Sequence, residues 1–216
     1  SNPQFFNSFS VSSQETKPTG ITFNNNGTKM FIVGYSGDDV NEYTLATAFD
    51  VSTASFIDSF SVSSQEISPR DMKFNNDGTK MFIVGTNSDA VKEYSLTTSF
   101  DVSTAAFVRS FSVALQETAP TSIVFNNDGS KMFIIGTVSD SVKEYSLTTG
   151  FDVSTATFTF SFSVTSQETI PTGLTFNSDG DKMFLVGTGS KAVNVYHFSS
   201  GFNTNSASNP TTNKEI

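Results

Sequence analysis

The sequence contains no cysteine, no tryptophan and a single histidine among its 216 residues. The absence of cysteine excludes disulfides and thiol chemistry, and with one histidine a zinc site or a nucleophilic triad is effectively excluded. Only 15% of residues are charged, and the formal net charge is −9. Nucleic acid is not an expected partner, because phosphate binding requires clustered Lys and Arg. No membrane span is expected either, since no apolar run approaches about 20 residues.

What the sequence does contain is a fourfold repeat. The tetrapeptide Ser-Phe-Ser-Val begins at residues 8, 59, 110 and 161, which is a period of 51 residues. Two further segments keep this period, and closely related copies of both occur in every repeat: Phe-Asn-Asn-Asn-Gly at 23–27 and Lys-Met-Phe-Ile-Val-Gly at 29–34. A long fixed period of this kind is typical of solenoids and propellers.

Each repeat is predicted to form four short β-strands. In the first repeat they are Gly20–Phe23, Lys29–Gly34, about Val40–Leu45 and about Ser55–Val62. Asn-Gly or Asp-Gly between the first two strands supplies the positive φ that a tight hairpin requires. A helical alternative is disfavoured, because turn residues recur at short intervals and β-branched and aromatic residues dominate.

The hydrophobic pattern selects the architecture. The second strand, Met30–Val33, is apolar on both faces and has to be covered on both sides. The fourth strand alternates, with Phe56, Phe60 and Val62 predicted on one face. Radially packed blades produce this combination, whereas a two-sheet sandwich would give alternation in every strand. The prediction is an all-β β-propeller with four four-stranded antiparallel blades.

The segment Pro18–Gly34 reads Pro-Thr-Gly-Ile-Thr-Phe-Asn-Asn-Asn-Gly-Thr-Lys-Met-Phe-Ile-Val-Gly and is followed by Val40–Leu45. It resembles the YVTN and NHL type of propeller repeat. The resemblance covers residues 4–202 and implies the propeller fold. Such propellers serve as enzymes, ligand-binding modules and assembly scaffolds, so the resemblance does not select a function.

The repeat also predicts where the blades begin and end. Within a propeller domain of residues 4–202, the blades are 19–62, 70–113, 121–164 and 172–202. The fourth repeat loses the pattern after residue 205, and Gln4–Val11, which match Ser55–Val62, are predicted to supply its outer strand. Such closure removes an exposed sheet edge. Two arrangements stay open: a closed four-bladed ring, or an eight-bladed ring in which two chains exchange this strand.

Four glutamates recur in Gln-Glu pairs, in the loops that lead from one blade to the next: Glu15, Glu66, Glu117 and Glu168. These loops share one face of the disc, so the carboxylates are candidate ligands for a cation. The alternative interpretation is that each glutamate satisfies backbone donors in a tight connection. The sequence assigns no cofactor and no resident metal.

The second repeat departs from the others on its innermost strand. It has Arg70, Asp71 and Lys73 at three positions that are uncharged in the other three copies. Asp71 and Lys73 are expected to pair, because residues two apart share a strand face. Arg70 is then left near the central opening, and Arg70, Asp71 and Lys73 are together candidate ligand-binding residues. The alternative is neutral drift in one copy. Asn26, on an exposed hairpin, begins the one glycosylation sequon.

Two classes of function stay open. Near-identical blades, a surface rich in Ser, Thr and Asn and the lack of catalytic groups favour a non-enzymatic structural, adhesion or binding module. We expect it to be extracellular or exposed on a particle surface. The alternative is a small-molecule or metal-assisted hydrolase, or a lectin, that uses the face of the central channel.

Residues 203–216 form a polar tail outside the repeat, which alone is expected to be disordered. We expect the tail to be held by a contact with another copy of the chain. The predicted partner is therefore the chain itself, in a homo-oligomer or a filament, and glycans are the other candidate.

Overall fold

The chain folds into a β-propeller of four blades around a central axis. The prediction of an all-β fold with four four-stranded antiparallel blades is confirmed. The computed structural model describes residues 4–208. Helical structure in this range consists of four single-turn 3-10 helices. No helix within residues 4–208 is long and apolar enough to cross a membrane.

Each blade is a meander whose strands pair in chain order. Blade 1 contains β1 (Pro18–Phe23), β2 (Lys29–Gly34), β3 (Asp39–Leu45) and β4 (Ala54–Ser61). Blade 2 contains β5 (Pro69–Phe74), β6 (Lys80–Gly85), β7 (Ala90–Leu96) and β8 (Ala105–Ser112). Blade 3 contains β9 (Pro120–Phe125), β10 (Lys131–Gly136), β11 (Ser141–Leu147) and β12 (Ala156–Ser163). Blade 4 contains β13 (Pro171–Phe176), β14 (Lys182–Gly187), β15 (Val193–Phe198) and β16 (Ala207–Ser208). The 3-10 helices precede the fourth strands, at Val51–Thr53, Val102–Thr104, Val153–Thr155 and Thr204–Ser206.

The first strand of each blade lies nearest the axis, and in the first three blades it meets the first strand of the next blade. The hydroxyl of Thr19 on β1 donates to the carbonyl oxygen of Pro69 on β5 at 3.2 Å. Thr121 on β9 makes the equivalent bond to Pro171 on β13 at 3.1 Å. Side chains at these positions therefore line the central channel.

A glycine turn joins the first two strands of each blade. In blade 3, the backbone N–H of Asn126 donates to the carbonyl of Lys131, and the side-chain oxygen of Asn126 accepts from the N–H of Lys131 at 2.8 Å. Gly129 closes this turn with φ of 71°. The ring of Phe151 lies so close to Gly129 that a Cβ at this position would collide with it. The recurrent glycine is therefore required by backbone conformation and by packing.

The fourth strand contains a β-bulge that the sequence pattern does not reveal. In β4 the extra residue is Ile57. Phe56 packs on Tyr43 of its own blade with ring centroids 5.7 Å apart, whereas Phe60 packs on Tyr94 of the next blade at 5.5 Å. The prediction that Phe56 and Phe60 share one face is therefore wrong, because an inserted residue interrupts the alternation of side chains.

Aromatic packing between blades forms the core. Phe31 on β2 contacts Phe74 and Phe100 of blade 2, with ring centroids 4.7 and 6.5 Å away. The same group of three rings recurs between blades 2 and 3 and between blades 3 and 4. The second strands of the first three blades are buried on both faces, as their apolar sequence predicts.

The structure differs from the prediction in the outer strand of blade 4. This strand is β16, which pairs with His197 and Phe198 of β15. It follows directly from the last 3-10 helix, so the first part of the predicted tail, residues 203–208, belongs to blade 4. The remainder, residues 209–216, lies outside the described residues. A strand adjacent in the chain reaches this edge without the long connection that residues 4–11 would need.

Residues 4–11, the predicted closing strand, form no ladder with blade 4 among the described residues. They lie against blade 1, where Phe9 packs edge-on against Tyr43 with ring centroids 5.6 Å apart. Phe9 and Val11 cover a buried cluster that includes Met30 and Ile32. The N-terminal segment is thus held by blade 1 and not by a sheet edge.

We expect Gly129→Ala to lower the free energy of unfolding by about 1–3 kcal/mol, because alanine is strained at positive φ and its methyl group displaces the Phe151 ring. Gly37→Ala is the matched control, since a Cβ there meets only the flexible side chain of Asp39. Urea unfolding followed by circular dichroism measures both variants. Equal midpoints for the two variants would contradict this role of the turn glycine.

Candidate functional site

The recurring glutamates are buried in the loops between blades. Glu66, 1% exposed, accepts hydrogen bonds from the backbone N–H groups of Ser68 (2.8 Å), Asn87 (3.2 Å) and Ser88 (3.1 Å), and from the Ser88 hydroxyl. Glu117 and Glu168 accept from donors at all the equivalent positions, and Glu15 accepts from the backbone N–H groups of Lys17 and Gly37. Each carboxylate therefore joins the loop before the first strand to the turn after the second strand of the same blade.

These contacts support the interpretation of the glutamates as acceptors that close loops. The Ser190 hydroxyl, together with the surrounding backbone N–H groups, lowers the pKa of Glu168 to about 2. Hydrogen bonds to the ionised form produce a shift in this direction. Within residues 4–208, no group of three His, Asp or Glu side chains is placed to hold a metal ion.

Sequence reasoning missed a second set of carboxylates beside the glutamates. Asp38 and Asp89 adopt positive φ and each has a buried side-chain oxygen without a hydrogen-bond partner among the described residues. Burial raises the pKa of both groups, and the negative charges of neighbouring glutamates raise it further. The only signal in the sequence was that each aspartate stands directly before the third strand of its blade. This position does not reveal that the buried glutamates lie close to it.

Asp71 and Lys73 form an ion pair at 3.5 Å, as their spacing predicts. Asp71 also reaches blade 3, where it accepts hydrogen bonds from the Ser122 hydroxyl at 2.7 Å and from the backbone N–H of Ile123 at 3.1 Å. Only 8% of Asp71 is exposed. This carboxylate therefore connects two blades and does not point freely into the channel.

Arg70, in contrast, lies at the wall of the channel. Its guanidinium stacks on the Tyr35 ring of blade 1, 4.3 Å from the ring centroid. Two of its nitrogens lie 3.4 Å from the hydroxyl of Thr86. Lys17 approaches the same ring, with its Nζ 5.0 Å from the centroid. Two cationic side chains thus converge on one tyrosine at the channel mouth.

The channel contains a cavity of about 310 Å³ beside this cluster. It is lined by residues from all four blades: Thr19, Arg70, Thr121, Thr172, Gly173 and Val186. Arg70 is the single charged residue among them. We name the cavity together with Arg70, Tyr35, Lys17 and Thr86 the channel site.

Sequence reasoning identified Arg70 but missed Lys17 and Thr86. The available signal was a second exception to the repeat: Tyr35 occupies the position at which later repeats have Thr86, Thr137 and Thr188. The two blade-specific residues, Tyr35 and Arg70, contact each other. Because the two residues that depart from the repeat contact each other, they belong to one local site.

The predicted glycosylation residue, the single histidine and the recurring tyrosines are not part of the channel site. Asn26 is exposed in the first hairpin turn, where its side-chain oxygen accepts from the backbone N–H and hydroxyl of Thr28. His197 lies on β15, opposite Lys182 in the ladder. The four recurring tyrosines are buried in the core: Tyr43, Tyr94, Tyr145 and Tyr196.

We expect acid to reduce the stability difference between the wild-type protein and Glu168→Gln. The pKa of Glu168 is lowered from 4.5 to about 2, so its stabilising effect is complete above pH 4.5 and is lost as the pH falls toward 2. The variant should unfold at lower urea concentration than the wild type at pH 7, with the two midpoints approaching each other at pH 2. Asp179→Asn, at an exposed position, is the control. A difference that stays constant from pH 7 to pH 2 would contradict the expectation.

No protein-family model matches the chain, and no curated protein matches its sequence. Solved structures do match its fold. A proposed 6-phosphogluconolactonase from Bacteroides uniformis has 12% identity and a TM-score of 0.62, with 88% of this chain and 53% of that chain covered. The periplasmic gluconolactonase of Pseudomonas aeruginosa has 14% identity and a TM-score of 0.57, with 88% and 51% covered. Hydrazine synthase of Kuenenia stuttgartiensis has 14% identity and a TM-score of 0.59, with 90% and 49% covered.

The chain spans about half the length of these proteins, and at such identities the likeness establishes the propeller fold. The sequence-based expectation that the chain is not an enzyme is contradicted, because matching propellers carry the names of lactonases. That expectation depended on the lack of cysteine and of a histidine partner, which excludes only some kinds of catalysis. The propeller part of the predicted resemblance is shown, and no family match bears out the YVTN or NHL repeat type.

Proposed function

We propose that this propeller binds a small anionic ligand, of the class of phosphorylated or carboxylated sugars, in the channel site. The observation that carries the proposal is the position of Arg70. It lies on the wall of a channel cavity, and within residues 4–208 no carboxylate is placed to form an ion pair with it.

Arginine suits this task because its planar guanidinium presents five N–H donors in a geometry that matches carboxylate and phosphate oxygens. The bonds to Thr86 are long, at 3.4 Å, and the stacking on Tyr35 holds the plane of the group without using its donors. Lys17 adds a second positive charge on the same ring. The chain has a net charge of −9 and therefore repels anions overall. The two cationic side chains make the channel mouth a place that attracts them.

Threonine hydroxyls supply the polar contacts that a sugar requires. Thr19 and Thr121 line the cavity while donating to carbonyl groups of neighbouring blades, so their oxygens remain available as acceptors. Thr172 lines the same cavity. A ligand with several hydroxyl groups and one anionic group matches this combination.

Hydrolysis of a sugar lactone is the second candidate function, and the names of the matching lactonases favour it. In this reaction water adds to the ester carbonyl, and the ring C–O bond breaks to leave a carboxylate and a hydroxyl. Arg70 would stabilise the negative charge that develops on the carbonyl oxygen. Asp71 is not assigned as a general base, because its oxygens accept bonds from Ser122, Ile123 and Met72.

The structural or adhesion role, the glycan partner and the extracellular or surface location remain predictions from the sequence. They depend on surface composition and on the similarity of the blades. A ligand in the channel site is compatible with each of them.

We expect calorimetry to detect binding of gluconate or 6-phosphogluconate and weaker binding of neutral glucose. Arg70→Thr, which restores the residue of the other repeats, should weaken anion binding about 10-fold or more, since hydrogen bonds to charged groups contribute about 1.5–3 kcal/mol. Arg109→Thr is the control, because it removes an equal charge from the outer strand β8. Equal affinities for wild type and Arg70→Thr would refute the assignment of the channel site.

We expect gluconolactone and its 6-phosphate to be hydrolysed above their spontaneous rate, with release of acid measured at constant pH. Arg70→Thr should lower this rate about 10-fold or more if the guanidinium stabilises the oxyanion. Arg109→Thr should retain it. Binding of the anions with no hydrolysis above the background rate would leave the binding function and reject the lactonase.

A further inference from the structure

The two ends of the blade series carry matching exposed surfaces. The side of blade 1 that carries Phe31 and Val33 packs on blade 2. We call this side of any blade its trailing face, and the opposite side its leading face. At the three internal interfaces, a trailing face is buried against the leading face of the next blade.

The trailing face of blade 4 lacks this cover. Val186 is 42% exposed and Val193 is 65% exposed. The equivalent residues of the first three blades are all fully buried: Val33, Val84 and Ile135 for Val186, and Val40, Val91 and Val142 for Val193. The side chains are apolar in every blade, so the difference comes from the missing neighbour.

The leading face of blade 1 is exposed in the complementary way. Ile21 is 52% exposed, whereas the equivalent residues of blades 2 to 4 are 0–6% exposed: Met72, Ile123 and Leu174. An apolar groove of about 330 Å³ runs along this face between the N-terminal segment and β1, and Phe9, Pro18, Ile21 and Ile32 contribute to its walls.

Two hydrogen bonds that join neighbouring blades also do not recur between blade 4 and blade 1 among the described residues. Lys29 donates to the carbonyl of Phe100 at 2.7 Å, and Asn25 donates to the carbonyl of Asn76 at 2.7 Å. Both bonds recur at the next two interfaces. Among the described residues, Lys182 of blade 4 makes no such bond to blade 1. The last blade and the first are therefore not joined in the way their neighbours are.

Residues 4–11 occupy the position of an outer strand from a blade that would precede blade 1. Phe9 packs on Tyr43 at 5.6 Å with an interplanar angle of 77°. Phe60, from the outer strand of blade 1, packs on Tyr94 of blade 2 at 5.5 Å and 82°. The two pairs of rings therefore occupy equivalent positions, one repeat apart.

A hydrogen bond shows the same equivalence between the N-terminal segment and an outer strand. The side-chain nitrogen of Asn7 donates to Asp50 at 2.7 Å, and Arg109 on the outer strand of blade 2 donates to Asp152 of blade 3 at 2.8 Å. Phe5 is 84% exposed, while its equivalent Phe56 is 43% exposed because it packs on the tyrosine of its own blade. The N-terminal segment is thus docked on blade 1 in the way that the outer strand of one blade docks on the next blade.

Blade 4 has the open edge that this segment fits. β15 pairs with β16 only at His197 and Phe198, whereas β11 pairs with β12 along its whole length. Residues 193–196 have no outer ladder partner among the described residues. The register between β3 and β4 predicts how residues 4–11 would pair with β15. Asn41 pairs with Ser59, and the equivalent residues of the repeat are Asn194 on β15 and Ser8 in the N-terminal segment.

We propose that two copies of this chain combine into one ring of eight blades. The trailing face of blade 4 of each copy packs on the leading face of blade 1 of the other. Residues 4–11 of each copy become the outer strand of the other copy's blade 4. A two-fold axis along the channel forms both junctions at once and leaves no apolar blade face exposed.

A second copy is the occupant that these surfaces specify, because it supplies a trailing face, a leading face and a strand of matching register together. The solved propellers provide an independent indication of geometry. Between 88% and 90% of this chain superposes on 49–53% of the three longer chains compared above, with TM-scores of 0.57–0.62, so its blades together match about half of each longer chain. Residues 4–11 are also held at blade 1, where the second copy's blade 4 would arrive.

Light scattering after size-exclusion chromatography tests the assembly. We expect a mass twice that of the 23.3 kDa chain, unchanged on tenfold dilution. Val193→Asp, at an exposed position of the trailing face, should halve this mass while preserving the circular dichroism spectrum. Leu115→Asp, at a 94% exposed position outside both faces, should leave the mass doubled. A wild-type mass of one chain, or a doubled mass for Val193→Asp, would overturn the proposal.

Engineered cysteines then identify the chain that donates the strand, since the protein has no cysteine of its own. Ser8→Cys and Asn194→Cys are placed on separate chains that are produced together. Exchange of the strand predicts a disulfide between the two chains, seen as a doubled mass on a non-reducing gel. Neither variant produced alone should give this product. With both substitutions on one chain, a single-chain disulfide and no cross-linked pair would show self-closure and refute the eight-bladed ring.

Discussion

Phe31, Phe82 and Phe133 each contact two phenylalanine rings of the following blade, and the rest of the propeller depends on this packing. Each of the three side chains is fully buried. Burial of one such ring contributes about 1.5–3 kcal/mol, and contacts between aromatic rings add about 0.5–1.5 kcal/mol. The partner rings come from the first strand and from the loop before the 3-10 helix of the next blade. One contact therefore sets both the distance and the orientation between neighbouring blades.

A polar network makes the same interfaces specific. Lys29 pairs with Glu42 at 2.6 Å, and Glu42 accepts from the backbone N–H of Val102 in the next blade at 2.9 Å. Buried ion pairs are tolerated when further hydrogen bonds satisfy their remaining atoms, as these do. In blade 4, Val195 replaces the glutamate. The exposed trailing face of blade 4 is thus apolar where the internal interfaces are ionic.

Repetition and exception have separate roles in this molecule. The residues that recur in every copy maintain turns, loops and blade contacts, as the buried glutamates show. The residues that occur once, Tyr35 and Arg70, meet at the channel mouth on adjacent blades. A ring of similar blades presents equivalent positions around one axis, so a change in two neighbouring copies is sufficient to create a localised charged site.

The sequence by itself determined the number of blades in the chain, their strands and their turns, because these depend on local features: a period of 51 residues, Asn-Gly and Asp-Gly hairpins, and a second strand that is apolar on both faces. Arg70 was also identified from the sequence, as a departure from the repeat. Its contact with Tyr35 was not, since the two residues belong to different blades and meet only after the blades pack. The bulge at Ile57 was equally hidden, because backbone register depends on the neighbouring strand. Tertiary structure alone decided the outer strand of blade 4 and the exposure of the terminal faces, since both depend on which surfaces come together in space and not on the residues that form them.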